Sequence, residues 1–400
     1  MVTSQTEPAN DVGLPVDPQA APRWEKRAEI DLSAIRHNVR QVAELAAPAR
    51  VMAVLKADAY GHGTLPVARA ALEGGATWLG FAHVSEALAV RDAGIEAPAL
   101  AWLHTPDTDF AAAIARNIDL GVSGWELDLV AAAAKSAERP ARVHLKIDTG
   151  LGRNGCTPEK WEDLLDAAMA HQEDGLLRIV GVFTHLAVAD EPDRPETDEQ
   201  LEAFRSAVAL AENAGFDLEV RHAANTPAIL SRPDAHFDLV RLGLGMYGLS
   251  PFRGQTSEGL NLRPAMRLMA RVANAKRVPA GQGVSYGLTY RTPSAGVLAL
   301  VPLGYADGVP RSAVDAPVAI SGHIARTSGR VAMDQFVVDL GPDADADTLV
   351  GTEAVLFGGD GPSATDWAEA AGTINYEIVT RVSPRVPRHY IEGSWGQAGE

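Results

Sequence analysis

Lys56 closes an apolar run, Val51-Met52-Ala53-Val54-Leu55, and is followed at once by Ala57-Asp58-Ala59-Tyr60-Gly61-His62-Gly63. A short, partly β-branched run ending near glycine reads as a buried strand. A lysine at the mouth of such a strand is desolvated, and desolvation favours the neutral amine. That amine is the nucleophile required for a covalent bond to an aldehyde cofactor. The competing reading is a lysine whose stem lies along the core edge with its ammonium in water. Lys146, His185, His222 and Arg241 occupy similar places, each at or just after an apolar run.

The elements that must position these residues alternate. Glu29-Ile30-Asp31-Leu32 reads as a strand, and Ser33 can cap a helix running to Ala46. Apolar runs then begin near Val51, Trp78, Ala99, Ile118, Arg142, Ile179, Leu218 and Phe237. Most lead into Ala- and Leu-rich helical stretches, such as Thr64 to Leu72, Ser85 to Ala93 and Glu199 to Ala214. This rhythm means βαβ units and a parallel sheet. About eight repeats suit a TIM-type (β/α)8 barrel, in which the strand ends carry the chemistry. A doubly wound open sheet is the alternative, and periodicity does not separate the two.

The rhythm breaks at Ser250 to Pro264, rich in Gly, Pro and Ser, which reads as a linker. Beyond it, Leu268–Val278, Gly296–Leu303, Pro317–Ser321, Arg330–Leu340 and Glu353–Phe357 read as strands, with one helix over Ala364–Ala371. The division is therefore a flexible tail over 1–22, a strand over 23–32 expected to pair with the C-terminal domain, a barrel over 33–250, a linker over 251–264 and a β-rich domain over 265–400.

Composition narrows the class. Four hundred residues suffice for two sizeable cores. A net charge of -17 disfavours nucleic acid or an anionic membrane as partner. One cysteine, Cys156, excludes an internal disulfide and a cysteine zinc cage, and no metal-ligand cluster is visible. No run has membrane-spanning length, and Met1 to Pro22 lack a signal-peptide core, so a cytoplasmic site is expected. Gly243-Leu-Gly245-Met-Tyr-Gly248 matches a dinucleotide fingerprint, but the linker follows it where a helix and second strand are needed. Ala53-Val54-Leu55-Lys56 matches a kinase lysine strand, yet no H-R-D or D-F-G element accompanies it.

The block from Ala53 to Gly63 resembles the pyridoxal-phosphate (PLP) lysine motif of the alanine racemase family. The resemblance continues through His144-Leu-Lys-Ile-Asp-Thr-Gly-Leu-Gly-Arg153, Thr184-His185, Ala224-Asn225-Thr226 and Val240-Arg241-Leu242-Gly243. It extends to Val284-Ser285-Tyr286-Gly287, Gly304-Tyr305-Ala306-Asp307-Gly308, Gly329-Arg-Val-Ala-Met333-Asp334, Thr373-Ile-Asn-Tyr376-Glu377 and Arg385-Val-Pro-Arg388. These blocks keep the family's order from about Arg23 to Ile391.

The resemblance implies a racemase that interconverts L- and D-alanine and supplies D-alanine for peptidoglycan. It implies two bases, Lys56 on one face of the substrate and Tyr286 on the other, with Tyr286 reaching the neighbouring subunit of a head-to-tail homodimer. The barrel over 33–250 is then the PLP-binding domain, with Arg241 expected opposite the pyridine nitrogen of PLP and His185 stacked on its ring. Tyr60, Asn225, Thr226, Gly243 and Tyr376 are expected around the cofactor, chiefly its phosphate. Arg153 is expected beside the cofactor's phenolic oxygen and the substrate carboxylate, held by a carbamylated Lys146. Met333 offers a backbone N–H to the substrate, and Tyr305 narrows the entrance with Tyr376. Thr226 stands where serine is common, and Ala332 where many relatives have cysteine. A serine or broad-range racemase, a fold-type-III amino-acid decarboxylase and a non-enzymatic PLP carrier are the alternatives. For Arg241 the plain reading is a strand-end arginine paired with an acid such as Asp238.

Overall fold

A computed structural model describes residues 24–393; the tail expected over 1–22 lies outside them. The described residues begin with β1 (Lys26–Asp31) and the helix Leu32–Ala46. Asp31, rather than Ser33, caps this helix, its carboxylate accepting from the backbone of Ser33 and Ala34. The helix starts directly off the strand, so the cap falls on the strand's last residue.

Eight parallel strands follow: β2 (Arg50–Val54), β3 (Trp78–Phe81), β4 (Ala99–Ala101), β5 (Ile118–Val122), β6 (Ala141–Lys146), β7 (Leu177–Phe183), β8 (Val220–His222) and β9 (Leu239–Leu242). They hydrogen-bond in the order β8-β7-β6-β5-β4-β3-β2-β9. Two flanking backbone bonds, Asp238 N to Arg221 O and Arg241 N to Ala224 O, draw β9 toward β8 and close the ring. This is the (β/α)8 barrel, not the open sheet. Strands β3, β4, β5 and β9 are buried throughout, which is why they read as continuous apolar runs. Inside the ring, Met52, Trp78, Leu100, Val220 and Leu239 pack together, as barrel interiors require.

The second domain contains β10 (Met266–Arg271), β11 (Asn274–Val278), β12 (Gly283–Val284), β13 (Tyr290–Arg291), β14 (Gly296–Val301), β15 (Pro317–Ile320), β16 (His323–Thr327), β17 (Phe336–Asp339), β18 (Glu353–Phe357) and β19 (Arg388–Ile391). Nine strands form one sheet in the order β11-β14-β17-β16-β15-β18-β10-β1-β19. β1 thus lies between the first and the last strand of the second domain, antiparallel to β10 and parallel to β19. The single strand expected over Leu268–Val278 is two, because β10 pairs with β1 and β18 while β11 pairs with β14. Of Arg330–Leu340 only β17 is strand; Ala332 N bonds Gln335 O in a turn that carries Met333 outward. A short helix, Asn375–Thr380, was not legible in the sequence and faces the barrel mouth.

Candidate active site

A cavity of about 820 Å³ opens at the C-terminal ends of the barrel strands. Lys56, Tyr60, Lys146, Arg153, His185, Asn225, Thr226, Arg241, Gly243 and Tyr376 all line it. Ten expected site residues, drawn from six separate stretches of chain, therefore converge.

Lys56 sits two residues beyond β2 at the start of an unusual turn. Ala57, Asp58, Ala59 and Tyr60 all take left-handed backbone conformations, with φ between 51 and 56°. Each costs an L-residue roughly 1–2 kcal/mol, and such strain persists only where the surroundings over-determine it. Ala57 N–H donates to Glu86 Oε1 at 2.7 Å, and the Asp58 carboxylate receives Thr64 N at 2.8 Å. Arg388 holds the Gly61 carbonyl with two donors at 2.9 and 3.0 Å. Burial lowers the Lys56 pKa, as does the Arg153 guanidinium; Glu86 opposes them and Arg241 adds to the lowering.

Lys146, at the end of β6, is buried and its pKa is pulled down to about 8, first by burial and then by Arg241 and Arg153. Its ammonium lies 5.5 Å from the centre of the Phe183 ring. Arg153 is exposed at the mouth and pairs with no carboxylate among the described residues. In this arrangement Lys146 and Arg153 repel each other while both are cations.

Arg241 is buried and does not pair with Asp238, which binds Arg221 at 3.0 Å instead. Its donors reach the carbonyls of His222, Thr184 and Ala223 at 2.8, 2.7 and 3.0 Å. They also reach Nδ1 of His222 and of His185, each at 3.3 Å. Behind it runs a chain that sequence reasoning missed: His222 Nε2 lies 3.0 Å from His144 Nδ1, and His144 Nε2 lies 3.1 Å from Asp119 Oδ2. The available signal was Asp119, an acid inside an otherwise apolar strand. Burial, then the cations Arg241, Arg153, Lys146 and Lys56, hold His185 well below the usual imidazole pKa. It is a neutral ring, free to stack.

On the far wall the Thr226 hydroxyl accepts from the backbone of Gly243 and Gly245 at 3.1 and 3.3 Å. Its own proton is left to donate. The Gly243 N–H is accordingly engaged by Thr226, and Asn225 Oδ1 caps the helix Thr226–Ser231 by accepting from Ala228 N. A Cβ at Gly243 would lie 2.8 Å from the Tyr60 hydroxyl, so glycine keeps this wall open. Burial raises the pKa of Tyr60, and burial with Asp190 pushes that of Tyr376 up to about 12. Both therefore remain protonated donors. The cavity thus gathers hydroxyl donors, cations and a tuned lysine, a set suited to an anionic aldehyde.

Tyr286, Tyr305 and Met333 are not in this cavity. They are 71, 39 and 52 % exposed on the β-rich domain. Ser285 Oγ bonds Arg330 O, and Tyr305 N and Ala306 N bond Ala332 O and Met333 O, so the three segments form one outward patch.

Residues 30–251 match the family model described as alanine racemase, N-terminal domain, and residues 265–390 the one described as alanine racemase, C-terminal domain. The chain is 53% identical over 372 residues to the alanine racemase of Beutenbergia cavernae, covering 92% of this chain and 98% of the relative. It superimposes with a TM-score of 0.91 on the alanine racemase of D-cycloserine-producing Streptomyces lavendulae, at 53% identity, covering 93% and 98% of the two chains. The alanine racemase of Bacillus anthracis, solved with bound L-Ala-P, matches with a TM-score of 0.83 at 36% identity over 93% of this chain and 96% of that one.

Proposed function

The chain belongs to the alanine racemase family, and on that premise we propose that it interconverts L- and D-alanine using pyridoxal phosphate and two bases, one from each subunit of a dimer. The observation that carries the proposal is the convergence of Lys56, Arg241, His185, Tyr60 and Thr226 on one cavity. Pyridoxal phosphate fits that donor set. Tyr60, Thr226 and Tyr376 would hold its phosphate, His185 would lie on its ring, Arg241 would face the ring nitrogen, and Lys56 would hold its aldehyde carbon. When bound, the cofactor withdraws electron density from the substrate Cα and so makes the Cα proton acidic.

The chain's own residues do the rest. Lys56 Nζ moves the Cα proton on one face, and its lowered pKa raises the fraction of neutral amine near pH 7. Tyr286 Oη of the partner subunit moves the proton on the opposite face. One rigidly held base does not reach both faces, and the exposed position of Tyr286 supports a role outside its own barrel. Arg241 offers donors but no readily transferable proton, which limits electron withdrawal by the ring and disfavours side reactions. Arg153 binds the substrate carboxylate with its planar fork. A pKa of about 8 leaves roughly one tenth of Lys146 neutral at pH 7. That amine can add carbon dioxide to give a carbamate and a proton, turning repulsion of Arg153 into attraction. Partner Tyr305 and Met333 would complete the entrance, and a narrow mouth favours a methyl side chain. The enzyme would act in the cytoplasm and supply D-alanine to peptidoglycan; among the described residues no helix is long and apolar enough to cross a membrane.

The test is incubation with L-alanine in heavy water, following chirality and Cα deuteration together. Inversion with deuterium incorporation supports the proposal; neither, with the cofactor bound, overturns it, and release of carbon dioxide points to a decarboxylase. Lys56→Ala should lower the racemisation rate roughly a thousandfold or more. Full activity in that variant would refute the role of Lys56.

A further inference from the structure

Glu86 lies outside the cavity and matches no motif, yet its carboxylate joins two strand ends. Oε2 accepts from the backbone of Ala82 and His83, both at 3.0 Å. The bond from His83 is the Glu86 half of the capping box that starts the helix Val84–Asp92. Oε1 reaches elsewhere, to the N–H of Ala57 at 2.7 Å, 29 residues earlier in the chain. Capping does not need this second contact. Ala57 is the first left-handed residue after Lys56; backbone bonds within the turn, such as Gly61 N to Ala57 O at 3.0 Å, close it, but four non-glycine residues of that hand remain strained and need outside support. The bond is charge-assisted, the stronger class of hydrogen bond.

We propose that Glu86 is a positioning residue for Lys56: its carboxylate clamps the left-handed turn Ala57–Tyr60 to the end of β3 and so fixes where the Lys56 amine enters the cavity. The inference rests on the proposed function only in taking Lys56 as the aldehyde-binding amine. The same carboxylate opposes Arg153 and Arg241 in tuning Lys56, so the clamp also moderates how readily that amine is deprotonated.

Shortening the side chain separates the clamp from the cap. An aspartate caps at the equivalent position elsewhere in this protein, where Asp366 accepts from Ser363 N at 2.7 Å. Glu86→Asp therefore keeps the helix start but withdraws the carboxylate from Ala57; Glu86→Ala removes both. In the cofactor-free protein, the Ala57 amide of Glu86→Asp should exchange with solvent roughly tenfold faster while that of His83 stays protected. Capture of pyridoxal by Lys56, followed by absorbance, should slow roughly ten- to a hundredfold. In the loaded enzyme kcat should fall by a similar factor with KM little changed, and the alkaline limb of its pH profile should move. An Ala57 amide that exchanges as fast in the wild type overturns the clamp. Capture and kcat within twofold of wild type in Glu86→Asp, despite fast Ala57 exchange, reduce Glu86 to a helix cap and overturn the positioning role. Wild-type protein that captures pyridoxal but racemises nothing refutes the proposed function instead, and the exchange and capture data still decide the clamp.

Discussion

Arg241 is a buried guanidinium with no carboxylate in contact among the described residues, and its surroundings impose a direction on everything behind it. An arginine only donates. His222 Nδ1 must therefore accept, its Nε2–H must donate to His144 Nδ1, and the His144 Nε2–H must donate to Asp119. The carboxylate at the far end accepts, so both ends demand the same tautomers. Burial and then Arg241 hold His222 well below the usual imidazole pKa, which keeps it neutral. Nitrogen-15 NMR of the two rings should find both protonated on Nε2, and an Nδ1–H on either would break the chain. Asp119→Ala leaves a buried donor unpaired and should cost about 1–3 kcal/mol, read as a lowered denaturation midpoint. No loss would mean that the aspartate serves only Arg142, which keeps Glu219 at 2.9 Å without it.

At the scale of elements, the barrel makes room for this chain by leaving out side chains. The register of β6 against β7 shifts between Val143 and His144, and Gly181 lies opposite the shift. A Cβ on Gly181 would meet His144 Nδ1 at 2.6 Å and the backbone of Val220 at 3.0 Å. The Gly181 φ is ordinary, so the obstacle is space alone. His144 cannot yield without breaking its bonds to His222 and Asp119. Gly181→Ala should therefore destabilise the fold by about 1–3 kcal/mol and disturb the tautomers of both rings. An unchanged melting temperature would show that the bulge absorbs a methyl group. The helix Asn375–Thr380 works at the same scale, since it brings Tyr376 from the second domain to the mouth of the first.

At the scale of the molecule, a chain of net charge -17 gathers Lys56, Lys146, Arg153, Arg241 and Arg381 around one cavity whose lining, among the described residues, includes a single acid, Glu377. The contrast favours anionic ligands over the surrounding surface. Elsewhere Tyr286, Leu288, Met333 and Tyr305 stand exposed on the second domain, a concentration of apolar side chains that a partner surface would cover. If each site is built from two subunits, Lys56→Ala and Tyr286→Phe chains should complement one another. Dissociated and reassociated together at equal amounts, they form mixed dimers with one intact site each and should recover roughly a quarter of wild-type activity. No recovery, with mixed dimers present by mass spectrometry, would place both bases on one chain.

The sequence determined the strand–helix rhythm of the barrel and the placing of Lys56, Lys146, His185 and Arg241 at or near strand ends, because burial on both faces leaves local marks. It also carried the ordered motifs that identify the family. Local pattern did not fix the second domain: the strand over 23–32 is expected to pair with it, but its place between β10 and β19 is not, and one apparent strand divides between two partners. Pairing over such separations is set by register and packing, not by the residues of one segment. The left-handed turn after Lys56 was equally hidden, since Ala57, Ala59 and Tyr60 are poor candidates for positive φ until Glu86, Thr64 and Arg388 hold the turn there. Asp119 and Glu86 acquire roles only through atoms brought within about 3 Å from distant positions, and that proximity exists only in the folded chain.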